Sequence, residues 1–339
     1  MPCSEISADW AAQRIKDLSL WSAAKNAIWP NGKSDNNKVI RTLIDSFDYP
    51  RLGPGMMWDT VLDLVLNRGC KVSLNSPVQK IHWRDGAVTG VETDGGQIIP
   101  GSHFLSTLPI RELIQKFEPK PATTVVSAAT QLRYRDFITV ALIVNKGDLF
   151  PDNWIYIHEP DLKVGRIQNF KNWSPDMVPD PSKTCVGLEY FCHAGDGLWN
   201  TPDADLIDLA SRELAALGLA RAEDIYDGTV VRMPKAYPVY DANYREALKQ
   251  VREFLQSIGN LQLIGRNGMH KYNNQDHSML TAMLAVRNIL GEHHDLWAVN
   301  AADDYHEELH STGDASDADR MDGSTERLVP ERVGQLAPS

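Results

Sequence analysis

Apolar side chains along this 339-residue chain recur in two rhythms. Spacings of three and four predict a helix over 4–28, through Ile6, Trp10, Ile15, Leu18 and Trp21. The same spacing predicts a helix from Met56, through Met57, Val61, Leu64 and Val65, with Gly69 placed to stop it. Three more helices follow: 203–217 through Leu206, Ala210 and Leu214, about 242–258, and 277–290 ended by Gly291. β-Branched and alternating runs predict a meander of strands at 71–74, 78–83, 87–93, 97–99 and 103–107. Asp85-Gly86 and Asp94-Gly95-Gly96 supply its tight turns. A second strand set falls at 137–144, 154–158, 165–170, 184–191 and 229–233, and a short apolar strand at 261–264 ends in Gly265. The stretch 31–38 (NGKSDNNK) and the stretch 266–276 read as polar loops. Strands and helices in this order, with no internal repeat, predict a mixed α/β (α+β) architecture with two regions.

Length fits about two domains. A hydrophobic share of 42%, a charged share of 23% and a mean hydropathy of −0.33 are ordinary for a chain with a sizeable core. No run reaches the roughly 18–20 apolar residues of a bilayer-spanning helix, so no transmembrane segment is expected. The opening MPCSEISADWAAQ lacks the basic and apolar regions of a signal peptide. Cys3, Cys70, Cys185 and Cys192 stand far apart, which points to a reducing, cytoplasmic setting and to no metal site. The net charge of −11 is concentrated: residues 301–339 hold ten acids and three bases and read as a disordered tail. The nearly neutral remainder carries no basic stripe, which argues against nucleic acid as a partner.

No G-x-x-x-x-G-K-[ST], H-E-x-x-H, G-x-S-x-G or G-x-G-x-x-G occurs. The informative passage is 261–278, LQLIGRNGMHKYNNQDHS. A buried strand ends at a glycine, where backbone can approach a ligand; a donor-rich run follows; then a helix begins, with Asp276, His277 or Ser278 as its cap. Such a helix start favours developing negative charge. The alternative is a capped helix and a polar loop with nothing bound.

These residues carry a resemblance. Gly265-Arg266, then Tyr272, then Asn274-x-Asp276 ahead of a helix resembles the C-terminal flavin motif of the UDP-galactopyranose mutases. The strand, glycine, loop and helix also resemble the closing FAD segment of the amine oxidase and protoporphyrinogen oxidase superfamily. The meander, with Asn75-Ser-Pro-Val78 and Ser106-Thr-Leu-Pro109, is similar to that superfamily's middle FAD segment. Tyr49-Pro-Arg-Leu-Gly-Pro-Gly55 resembles its glycine-rich stretch before a helix. The resemblance implies a partial FAD-binding domain of the glutathione-reductase-like type plus an antiparallel-sheet substrate domain. It implies a helical segment at 1–48, FAD-domain segments at 49–110 and 241–292, a substrate domain at 111–240 and the tail at 293–339. Family members open with a strand and G-x-G-x-x-G, so the resemblance also implies a chain lacking that leading segment. The implied activity is that of an FAD-dependent oxidoreductase. A mutase-like flavoenzyme acting on a nucleotide sugar and a non-catalytic fragment or binding module are the alternatives.

By the same resemblance, FAD is the cofactor. Gly55, Val78 and Thr107 would line it from the first half, and Gly265, Arg266, Asn274, Asp276, His277 and Ser278 from the closing passage. Tyr272 matches a mutase tyrosine that reaches substrate diphosphate. For the substrate wall, alternation over 165–173 places Arg166, Gln168, Phe170 and Asn172 on one face and Ile167, Asn169, Lys171 and Trp173 on the other. Polar groups on both faces suit a cleft for a small molecule, sugar-like or anionic, and make Arg166 and Asn169 candidates. Trp154 and Tyr156 share a strand face, either packed in a core or stacked on a ligand ring. No residue is assigned a proton-transfer or nucleophilic role.

Overall fold

A computed structural model describes residues 47–300. The chain divides into two units, Met1–Asp304 and Tyr305–Ser339, and every described residue belongs to the first. The expected helix at 4–28, the loop at 31–38 and the acidic 301–339 lie outside the described residues.

The meander forms as expected. β1 (Val78–Arg84) and β2 (Ala87–Thr93) pair antiparallel, and β3 (Ile98–Pro100) continues on the far side of β2. Asp85 and Gly86 both take positive φ, 52° and 76°, the geometry of a two-residue turn that matches strand twist. β5 (Phe117–Glu118) adds to β1 in parallel, giving the order β3-β2-β1-β5. Residues 71–74 form no strand; no neighbour among the described residues offers them a ladder. β4 (Phe104–Ser106) pairs in parallel with β11 (Leu261–Leu263), far away in sequence.

The first helix, α1 (Gly55–Asn67), contains no buried residue. Arg51 to Asp176 at 3.1 Å and Tyr49 stacked on Trp173 at 5.0 Å tether the turn ahead of it. Two further helices, α2 (Ile110–Lys116) and α3 (Thr123–Gln131), have no counterpart among the sequence expectations. Both are short, and the Thr, Val and Ser content of α3 lowers helix propensity, so packing decides there. They join a core with Ile81, Phe117, Val251 and Leu255; Trp83, Phe117 and Phe254 meet edge to face at its centre.

A second core lies under a five-stranded antiparallel sheet. Its order is β10 (Ile225–Pro238), β6 (Tyr134–Val144), β9 (Thr184–Cys192), β8 (Arg166–Asn169) and β7 (Trp154–Tyr156). Alternate residues of β6 are buried without a break, and Ile138, Val140, Leu142 and Val144 face α5 (Asp203–Ala216), which buries Leu206, Ala210 and Leu214. The strand expected over 165–170 stops at Asn169, and Phe170–Trp173 make one turn of helix, α4, so the alternation predicted beyond 169 does not occur. The ring of Phe170 folds onto Gly187, where a Cβ would stand 2.8 Å from it. The chain then leaves β10 for α6 (Tyr244–Gln256), β11, a four-residue helix α7 (Gly265–Gly268) and α8 (Gln275–Ile289).

Candidate functional site

β4 and β11 run in parallel, and the chain past their carboxyl ends converges. Gly265, at φ +75°, begins α7, and its N–H donates to Thr281 Oγ1 on α8 at 3.0 Å. A Cβ there would meet Thr107 Cγ2 at 3.8 Å and Ser278 Oγ at 3.9 Å. Thr107 follows β4, Gly265 follows β11 and Ser278 sits in the first turn of α8, so three predicted residues share one spot. The space outside carboxyl strand ends, facing a helix start, is where open α/β sheets bind ligands. Gly268 lies tighter still: a Cβ would stand 2.6 Å from the Ser106 carbonyl oxygen, so only glycine lets α7 rest on the end of β4.

The cap of α8 is Asn274, not Asp276, His277 or Ser278. Asn274 is extended (φ −79°, ψ −175°) and its side chain receives the His277 N–H, while the Asn274 N–H donates to His277 Nδ1 at 3.3 Å. Ser278 Oγ donates back to the Asn274 carbonyl at 2.8 Å. Asp276 lies in the first turn, 3.2 Å from His277 Nδ1, where its charge complements the helix start.

The passage ahead of the cap is not the polar loop its composition suggests. His270, Lys271, Tyr272 and Asn273 are all buried. Lys271 Nζ donates to the Trp297 carbonyl at 2.7 Å and to that of Val299, and the Tyr272 N–H donates to Tyr240 Oη at 2.8 Å. Arg266 donates from Nε to the Asn273 carbonyl at 2.7 Å and from Nη1 to the Ala236 carbonyl at 3.1 Å. Its guanidinium lies 5.1 and 5.2 Å from the rings of Tyr237 and Tyr272, which stack on each other at 5.4 Å. Side chains thus satisfy the backbone groups that burial would otherwise strand. Burial also drives the His270 pKa down to about 4, so this imidazole is neutral at pH 7.

The Tyr237–Tyr272 stack joins this end to the front of the five-stranded sheet. Register puts Tyr156, Arg166, Glu189 and Thr139 in one cross-strand row, and Trp154, Gln168, Gly187 and Ala141 in the next. Phe191 and Phe137, paired in a third row, lie 6.4 and 6.0 Å from Tyr237. Trp154 and Tyr156 are about half exposed, not core. Arg166 donates to Glu189 Oε2 from Nε at 2.8 Å and from Nη2 at 2.5 Å, and Gln168 donates to Glu189 Oε1. Burial opposes the Arg166 charge, but the Glu189 carboxylate outweighs it and raises the guanidinium pKa. Glu189 is 2% exposed; its signal in the sequence is one acid inside an otherwise apolar strand.

Of the remaining predicted residues, Val78 borders the first cluster and Gly55 and Asn169 lie apart from both. Val78 lines an apolar hollow of about 240 Å³ that Thr107, Val88, Phe104 and Leu261 share, so it reaches the Gly265 cluster through Thr107. Gly55 opens α1 with no atom near its Cβ position. Asn169 faces away from Arg166, 1% exposed, its Nδ2 donating to the Phe150 carbonyl at 3.3 Å.

The profile of the flavin containing amine oxidoreductase family matches residues 42–311. The chain belongs to that family. The cofactor of the family is a flavin. Among solved structures, that of a reduced UDP-galactopyranose mutase matches with a TM-score of 0.72 at 19% identity, covering 91% of this chain and 66% of that one. A candidate protoporphyrinogen oxidase from Exiguobacterium sp. 255-15 matches with a TM-score of 0.53 at 17% identity, covering 69% of this chain and 51% of that one. The chain thus spans less than two thirds of the mutase and about half of the second protein. Both likenesses show the mixed α/β fold of these proteins. A search of curated proteins by sequence finds no match. No helix among the described residues is long and apolar enough to cross a membrane.

Proposed function

We propose that this chain is part of an FAD-dependent oxidoreductase that acts on a small polar molecule in the reducing cytoplasm. One observation carries the reading: Thr107, Gly265 and Ser278 converge where the parallel pair ends and α8 begins. Family membership supplies the flavin. The residues fit it at three points: a glycine with no side chain to intrude, a helix start that favours negative charge, and an apolar hollow beside Val78 and Thr107. When bound, FAD supplies the redox chemistry, accepting a hydride from a C–N or C–C centre. The chain's own residues do the rest. Asn274 and His277 fix the direction of α8, and Arg266 holds the passage before it against Tyr237 and Tyr272. On this reading 49–110 and 241–292 serve the cofactor and 111–240 the substrate.

The front face, with Trp154, Tyr156, Arg166 and Gln168, receives the substrate. Glu189 offsets the Arg166 charge, which favours an uncharged, hydroxyl-bearing molecule over an anion, its ring stacked on Trp154 or Tyr156. The Gly265-Arg266, Tyr272 and Asp276 spacing favours a second reading, a flavin-assisted rearrangement of a nucleotide sugar.

Thermal unfolding with added FAD tests the proposal. Binding to the folded chain at 100 times Kd adds about 2.7 kcal/mol, seen as a higher Tm, flavin fluorescence quenching and absorbance near 450 nm. Gly265→Val removes the shift. A chain that gains no stability and quenches no flavin overturns cofactor binding by these residues and leaves the binding-module reading.

A further inference from the structure

The front of the five-stranded sheet changes character along its strands. Side chains on one face stand in cross-strand rows, about 7 Å apart along a strand. The first row is Trp154, Gln168, Gly187, Ala141 and Thr229, and the second is Tyr156, Arg166, Glu189, Thr139 and Val231. The third, Phe191, Phe137 and Met233, holds no polar side chain. Phe191, Val231 and Met233 are 40–50% exposed, and like Phe137 they take no part in either core. The Phe191 ring lies across Gly165, where a Cβ would stand 3.0 Å from it, so this apolar corner runs up to the start of β8 beside Arg166. Apolar side chains scattered singly over a surface carry no meaning, but contiguous ones mark a binding face.

We propose that the front face binds an amphipathic molecule: a neutral, hydroxyl-bearing ring at the Trp154, Tyr156 and Gln168 end, and a flexible apolar chain over Phe137, Phe191, Val231 and Met233. This rests on the front face being the substrate wall, and it adds an apolar half to the substrate. Two features select a chain of a few carbons as the occupant of the apolar corner. The first is size. Three strands about 4.8 Å apart and two rows about 7 Å apart make a patch of about 10 Å by 7 Å. A stable protein interface takes roughly 800 Å² from each partner, far more than this corner offers. The second is continuity. Arg166 lies 5.9 Å from the Tyr156 ring, and Phe191 and Phe137 lie 6.4 and 6.0 Å from that of Tyr237. A molecule reaching from Tyr156 toward Tyr237 crosses those two phenylalanines. A polar segment would lose its water there and gain no partner, whereas an apolar one is favoured by the same burial.

Titration calorimetry of the full chain, with and without FAD, provides the test. The probes are methyl, butyl and hexyl β-glucosides, each below its micelle-forming concentration, and 1-hexanol. A fully covered methylene tightens binding about fourfold, and one on a half-open face about twofold. Five added methylenes therefore lower Kd about 30-fold from the methyl to the hexyl glucoside. 1-Hexanol, with no ring to stack, binds about tenfold more weakly than hexyl glucoside. Val231→Thr/Met233→Gln melts within about 2 °C of the unaltered chain, as exposed substitutions do, and brings the hexyl and methyl glucosides within about threefold of each other. Trp154→Ala weakens both glucosides by a similar factor. A flat series overturns the inference in favour of a wholly polar ligand, and hexanol as tight as hexyl glucoside overturns it in favour of a bare apolar patch. A chain-length dependence that survives Val231→Thr/Met233→Gln, or glucosides that all fail to bind, also overturns it. Trp154→Ala without effect on any glucoside removes the substrate wall and the inference together. A steep series flattened by Val231→Thr/Met233→Gln in the absence of FAD upholds the inference even where the cofactor test fails. FAD binding with a flat series overturns it and leaves the oxidoreductase reading in place.

Discussion

Removing the Glu189 carboxylate gives the sharpest test of the front face. Its side chain is 3% exposed and that of Arg166 16%, and Glu189 accepts from Arg166 Nε, Arg166 Nη2 and Gln168. In Glu189→Leu the guanidinium stays half-buried with no counter-charge, and the Gln168 amide loses its acceptor. Breaking a buried pair by removing one partner costs about 3–5 kcal/mol. The residual exposure of Arg166 lets water reach it, which argues for the lower end, about 3 kcal/mol. For a folded body of this size that lowers Tm by about 6–12 °C. Removing the partner as well, in Arg166→Met/Glu189→Leu, takes away the uncompensated charge and recovers most of the loss. Thermal unfolding followed by circular dichroism reads all three proteins. A fall of less than about 2 °C for Glu189→Leu, or a double variant as unstable as the single, refutes the argument that the pair is buried and balanced.

Two further outcomes follow. Gly268→Ala drives a Cβ to within 2.6 Å of the Ser106 carbonyl oxygen, so α7 must lift off β4; overpacking of this kind costs about 1–3 kcal/mol, visible as a lower Tm, while Gly259→Ala, with open space around it, is near neutral. His270 titrates at about 4 when folded and near 6.5 when unfolded, so between those values the unfolded chain binds more protons. Stability therefore falls on acidification from pH 6.5 to 4, and His270→Gln flattens the slope of urea midpoints across that window.

Where one residue faces one environment, the sequence was readable. Buried and half-buried positions alternate through β6 as its β-branched run predicts, and Asp85-Gly86 makes the turn its residue types favour. Reading failed where distant parts decide. Residues 71–74 have strand-like composition but no ladder to join, and α3 has strand-like Thr and Val yet is helical because it packs on α6. At the site, the glycine and the following helix were legible from spacing. Burial of His270 to Asn273 was not, because its cause is the carbonyls of Trp297 and Val299 and the Tyr240 hydroxyl, all remote in sequence. Asn169 was misleading for a related reason: alternation defines a face but not which face meets solvent.

The stacked rings of Tyr237 and Tyr272 bear on how the two cores can move. Tyr237 is the last residue but one of the longest strand of the five-stranded sheet, and three residues on Tyr240 lies within the other core. A hinge needs slack, and this crossing has none, because Arg266 ties the same rings to the Ala236 carbonyl. The two cores therefore cannot swing apart like jaws. A change in either ring is therefore transmitted to both halves of the fold at once, because the same stack belongs to each.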